Sequence, residues 1–151
     1  MTVAIWRALW RNLLHPAAKP PETPRRLALL HQDCGSCNGC EIELRLLATA
    51  HDAAAHGLVF VDSPQHADAL LVTGPVSRNT DAALGVAWDG MPDPRRVVAL
   101  GDCAVDGGVF KGSYAVSGGA GAVVPVDLAI RGCPPTPAQM LEALRAFAKG
   151  G

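Results

Sequence analysis

The sequence predicts an α/β protein, a parallel sheet with helices on both faces. Three observations carry that expectation. Short apolar runs alternate with helical patterns along most of the chain, which is the signature of a parallel sheet covered on both sides. The length of 151 residues suits one domain with a real hydrophobic core. Apolar residues make up 49% and aromatics only 5%, so the core must be built from Leu, Val, Ala and Ile.

Taken in order, residues Val3 to Leu14 place Ile5, Trp6, Leu9, Trp10, Leu13 and Leu14 at helical spacing, with Arg7 and Arg11 opposite. That pattern predicts an amphipathic helix. It stops at His15–Pro16, and Lys19-Pro-Pro-Glu-Thr-Pro24 follows as a stiff extended linker. The expected division is therefore 1–24, helix and linker, and 25–151, the α/β domain. Within the domain, Arg26–His31 reads as a buried strand and Cys40–Ala50 as a helix. Leu58–Val61 and Ala69–Thr73 read as strands, Asp81–Val86 as a short helix and Arg96–Gly101 as a strand. Val123–Ala129 is expected to be a strand, with Pro125 marking an edge or a strand start. Thr136–Lys149 carries the signals of a final helix: Thr136 at the N-cap, Pro137 in the first turn and Gly150 past the end.

Charge and composition exclude several classes. Charged residues are 18% and the net charge is −1, which gives no electrostatic case for nucleic acid. No window reaches the roughly 20 apolar residues of a membrane span. The cysteine count is five, an odd number, and no secretory signal is expected from the first residues, where Arg7 and Arg11 interrupt the apolar stretch. The expected compartment is a reducing one, where clustered cysteines bind metal or react rather than form disulfides.

The positions of those cysteines are informative. Cys34, Cys37 and Cys40 follow the first predicted strand, Cys103 follows the strand ending at Gly101, and Cys133 follows the strand ending near Ile130. All five thus fall just past the carboxyl ends of strands, the edge of an open parallel sheet where ligands bind. Four thiolates meeting there make a soft tetrahedral site, suited to zinc or to an iron–sulfur cluster. A structural zinc site usually draws on two short Cys/His pairs, whereas here Cys103 and Cys133 are single residues on separate loops. A redox pair at Cys37–Cys40 would leave those two unexplained. Gly35, Gly39, Gly101, Gly107, Gly108 and Gly132 flank the cysteines and would let backbone N–H groups approach sulfur closely.

Three segments resemble a known family. Cys34-Gly-Ser-Cys-Asn-Gly-Cys-Glu-Ile-Glu-Leu44, Gly101-Asp-Cys-Ala104 and Gly132-Cys-Pro-Pro-Thr-Pro137 are similar to the cluster loops of the small subunits of group 4 membrane-bound nickel–iron hydrogenases, of the formate hydrogenlyase type. They also resemble the 20 kDa (B-type) subunit of NADH–quinone oxidoreductase, the respiratory complex I. The likeness runs from about Arg26 to Ala148. It implies a flavodoxin-like fold and one 4Fe–4S cluster bound by Cys37, Cys40, Cys103 and Cys133, with Cys34 a nearby spare. In the complex I subunit the first two ligands are adjacent cysteines. Gly39 departs from that pattern, so the chain sides with the hydrogenases.

The resemblance further implies an electron-transfer subunit in a hetero-oligomer. Its partners would be a large hydrogenase-like catalytic subunit together with ferredoxin-like and membrane subunits. No catalytic metal of its own is implied. The alternatives are a quinone-reducing B-type subunit and a structural zinc protein. Glu41 and Glu43 follow the cysteine run. Glu41 is expected to favour the helix N-terminus. Glu43 matches an acidic position of the complex I-type motif and is a candidate for proton coupling. The predicted N-terminal helix is expected to hold the subunit peripherally at the cytoplasmic face of the inner (plasma) membrane, through partner subunits more than through lipid.

Overall fold

A computed structural model of the chain describes residues 25–150. The predicted N-terminal helix and its linker lie outside the described residues. The elements run β1 (Leu27–Asp33), α1 (Gly39–Thr49), β2 (Leu58–Val61), β3 (Ala69–Thr73), α2 (Asp81–Asp89), β4 (Val97–Leu100), α3 (Asp102–Asp106), β5 (Leu128–Ile130) and α4 (Pro137–Lys149). The five strands form one sheet in the order β2-β1-β3-β4-β5, with every pairing parallel. This is the flavodoxin-like order, and it places the topological switch between β1 and β3.

The central strands explain why consecutive apolar residues are needed. Every residue of β3 and of β4 is buried, because helices cover both faces. Alternate side chains serve two cores. Leu27, Leu29, Leu71, Val98 and Leu100 pack under α1 and α4 against Leu44, Leu47, Met140 and Leu144. Leu30, Leu70, Val72, Val97 and Ala99 point the other way, toward Leu84 of α2, Ala104 of α3, Ala120 and Val124. Two aspartates close strand starts from outside the ladder: Ala28 N donates to Asp68 Oδ2 at 2.7 Å, and Val97 N donates to Asp127 Oδ2 at 2.7 Å.

The last helix begins as its sequence dictates. Thr136 Oγ1 accepts from Gln139 N at 3.4 Å, and Gln139 Oε1 accepts from Thr136 N at 2.9 Å, a reciprocal capping box. One expected element is different. The strand predicted over Val123–Ala129 is only Leu128–Ile130, and a short 3-10 turn at Ala120–Ala122 precedes it. Pro125 lacks the N–H a ladder needs, while Val124 is buried as packing for the second core, so its burial does not signal a strand. Among the described residues, no helix is long and apolar enough to cross a membrane.

Candidate iron–sulfur site

The carboxyl edge of the sheet gathers the cysteines. Cys37, Cys40, Cys103 and Cys133 line one cavity of about 110 Å³, together with Ser36, Gly39, Gly74, Asp102, Gly132 and Pro134. Each loop arrives from a different strand end. The first leaves β1 through an Asx turn, where Asp33 Oδ1 accepts from Gly35 N at 3.0 Å and from Ser36 N at 2.8 Å. Asn38, with φ of 68°, then turns the chain into α1, so that Cys37 precedes the helix and Cys40 sits in its first turn. Cys103 lies in α3, directly after β4. Cys133 follows β5.

The second and third loops are fastened to each other. Asp102 N donates to Gly132 O at 2.9 Å, and Gly132 N donates to Asp102 Oδ1 at 3.2 Å. Arg131 adds ion pairs to Asp102 at 3.7 Å and to Asp106 at 3.5 Å. Asp102 therefore fixes the spacing of Cys103 and Cys133. Sequence reasoning passes it over, since only the pairing of β4 with β5 reveals which loop it faces.

Two glycines make room for sulfur. Gly101 has φ of +87°, and a Cβ there would stand 2.6 Å from Cys40 Sγ. A Cβ on Gly108 would stand 3.1 Å from Cys103 Sγ. The thiols are close enough to influence one another. Burial pushes the Cys40 thiol up to about 12, and the nearby Glu41, Cys103, Cys37 and Cys133 add to the rise. Cys103 is raised as well, first by burial and then by Cys133, Cys37 and Asp102. Four thiolates so placed repel unless a positively charged centre joins them, which is what soft-metal chemistry provides. The donor set thus fits an iron–sulfur group. Cys37 and Cys133 are exposed, so the site opens to the surface.

Cys34 is not brought to this cavity. It is fully buried in the second core, on the other side of the sheet from α1, and burial raises its thiol to about 11 despite a hydrogen bond with Thr80. Glu43 is half-buried on α1 and does not line the cysteine cavity. Glu41 lies in the first turn of α1, where a carboxylate favours the helix dipole. Its surroundings are unusual: among the described residues, both carboxyl oxygens are buried without a hydrogen-bond partner, and Oε1 stands 3.7 Å from His31 Nε2.

The model of the NADH ubiquinone oxidoreductase 20 Kd subunit family matches residues 37–147, a span that contains all four cavity cysteines. The chain belongs to that family. It is 48% identical over 110 residues to formate hydrogenlyase subunit 7 of Escherichia coli, covering 72% of this chain and 43% of that one. It is 39% identical to the probable membrane-bound hydrogenase subunit mbhJ of Pyrococcus furiosus, covering 77% of this chain and 70% of that protein. Identity to the B-type subunit of the NADH-quinone oxidoreductase of Desulfovibrio desulfuricans is 42%, over 68% of this chain and 56% of the relative. The chain thus spans less than half the length of the formate hydrogenlyase relative. Among solved structures, a chain of the membrane-bound sulfane sulfur reductase, an archaeal respiratory membrane complex, superposes with a TM-score of 0.70 at 29% identity, over 85% of this chain and 73% of that chain. A chain of an NAD+-reducing [NiFe]-hydrogenase shares the fold, with a TM-score of 0.65 at 19% identity over 83% and 93% of the two chains.

Proposed function

We propose that this family member carries one 4Fe–4S cluster on Cys37, Cys40, Cys103 and Cys133 and serves as an electron-transfer subunit of a membrane-associated, hydrogenase-like oxidoreductase. The observation that carries the reading is the convergence of four thiols from three loops on one cavity. When bound, the cluster supplies one-electron relay chemistry. The chain's own residues supply the rest. Gly101 and Gly108 leave space for sulfur, Asp102 holds two ligand loops together, and Asp33 shapes the third. The Cys37-Asn-Gly-Cys40 spacing favours the hydrogenase type over the quinone-reducing B type, and the 48% identity to the formate hydrogenlyase relative supports the same choice. The partners proposed are a large catalytic subunit with ferredoxin-like and membrane subunits. The test is anaerobic purification followed by iron, sulfide and zinc analysis. Iron and sulfide near four each per chain, with broad visible absorption, are expected from the assignment. Stoichiometric zinc without iron would make the chain a structural zinc protein.

Two further expectations attach to this reading. Glu43 is proposed to couple proton uptake to the redox state of the cluster. Glu43→Gln should then shift the pH dependence of the cluster potential, and an unchanged potential across pH would leave Glu43 a packing residue. Residues 1–24 are proposed to hold the subunit peripherally at the cytoplasmic face of the membrane. Two arginines contribute only about 2 kcal/mol toward an anionic surface, too little for stable anchoring alone. Deleting residues 1–18 should preserve iron content and release the chain from the membrane fraction. Loss of iron together with precipitation would instead assign those residues to the core.

A further inference from the structure

A second cleft lies beside the cysteine cavity, on the face of the sheet covered by α1. It has a volume of about 210 Å³ and is lined by His31, Glu41, Leu44, Arg45, Ala48 and Phe60. Its walls are mostly apolar, set by Leu44 and Ala48 of α1 and by Phe60 on the edge strand β2. The carboxyl group of Glu41 sits in it with a side chain only 13% exposed, and neither oxygen has a hydrogen-bond donor among the described residues. Buried carboxyl oxygens are almost always paired, because desolvating them without a donor costs several kcal/mol by order of magnitude.

The neighbours do not supply the donor. His31 Nε2 is engaged with Thr73 Oγ1 at 2.9 Å and stands 3.7 Å from Glu41 Oε1, beyond hydrogen-bond length. Arg45 is one helical turn further along α1, at a spacing suited to pairing, yet Glu41 accepts no hydrogen bond from it. An apolar-walled cleft with an acid inside it matches a long cationic side chain, whose methylenes lie along the walls while its charged tip meets the carboxylate. Phe60, 37% exposed, also offers an aromatic face to a cation. Ile42 at 57% and Leu46 at 43% exposure form an apolar ridge on the same helix. Glu41 of this cleft is bonded through the backbone to Cys40 of the cysteine cavity, so the two sites share the first turn of α1.

We propose that this cleft receives a lysine or arginine side chain of the large catalytic subunit, with Glu41 as its counter-ion. The inference rests on the functional reading above and names one contact through which that partner is held. It does not require Glu41 to change protonation.

The test uses the native complex, purified through a tag on this chain, with iron content measured for every variant. If the tagged wild-type chain carries no large subunit, the functional reading fails and the contact has no partner. If the wild-type complex forms, Glu41→Gln should weaken its hold on the large subunit about tenfold or more, with stronger dissociation as salt rises. Glu142→Gln, which removes an exposed acid of α4 outside the cleft lining, should leave association unchanged. A photoreactive benzoylphenylalanine in place of Phe60 should crosslink to a peptide of the large subunit that contains the lysine or arginine. This last measurement decides the matter alone if Glu41→Gln loses its iron. Equal association of Glu41→Gln and wild type would mean that the cleft holds only water, and the proposal would be wrong. An equal loss in Glu142→Gln and Glu41→Gln would reduce the effect to general surface charge and overturn the proposal. A crosslink to a segment without a cation would overturn the proposal as well.

Discussion

Replacing any one of Cys37, Cys40, Cys103 or Cys133 by alanine is expected to abolish stoichiometric iron in the anaerobically purified chain. The four line a single cavity, and the loops that carry them come from β1, β4 and β5. If the four hold the proposed cluster, removing one thiolate would leave three ligands, with the fourth corner facing solvent or an apolar wall. Cys34→Ala is the matched control. It removes a sulfur from the second core, so it should keep its iron and cost about 1–2 kcal/mol of stability through packing alone. Iron analysis and chemical denaturation of the five variants separate the two roles. Full iron retention in any of the four ligand variants would remove that cysteine from the set.

Gly101→Ala should have an effect nearly as large without touching a ligand. The new methyl would lie 2.6 Å from Cys40 Sγ, at a residue whose φ is +87° and whose N–H donates to Ile130 O at 2.7 Å. The backbone cannot move away without releasing β5, and the sulfur cannot move without leaving the cavity. Gly112 has nearly the same φ, +82°, but a Cβ there would meet nothing within 4 Å. Gly112→Ala therefore tests a positive φ without the sulfur contact, whereas Gly101, with ψ of 156°, lies in a region essentially restricted to glycine. Gly101→Ala adds overpacking of roughly 1–3 kcal/mol and should displace Cys40 from its position. Iron content near zero in Gly101→Ala beside full content in Gly112→Ala is the expected pair of results. Normal iron and absorption in Gly101→Ala would show that the Cys40 sulfur can sit elsewhere.

Most of the sheet is legible in the sequence because its central strands are buried on both faces and read as unbroken apolar runs. Leu58–Val61 and Ala69–Thr73 have the observed limits, and Arg26–His31 and Arg96–Gly101 differ from β1 and β4 only at their ends. The α4 boundary is equally clear, since Thr136, Pro137 and Gln139 build its N-terminus locally. Val123–Ala129 misleads because Val124 is buried by the second core rather than by strand pairing. The convergence of the cysteines is foreseeable from topology alone, as strand ends share one edge. The environment of Glu41 is not. Its burial depends on Phe60 of β2 and on His31 of β1, which meet only when those strands pair and α1 packs over them. The fastening role of Asp102 is hidden for a similar reason, because its partner Gly132 is distant in sequence.

The placement of Cys34 bears on how the chain withstands air. Disulfide exchange begins with attack by a thiolate that can reach its target. Cys34 is fully buried and its thiol is held protonated well above neutral pH. Although it lies only three positions before Cys37, its sulfur packs into the second core, away from the four that share the cavity at the carboxyl edge. If those four hold the proposed cluster and lose it to oxidation, the crosslinks expected are among themselves or with another molecule. The fifth sulfur is then expected to stay reduced, and the damage to remain confined to the loops that reduction can restore.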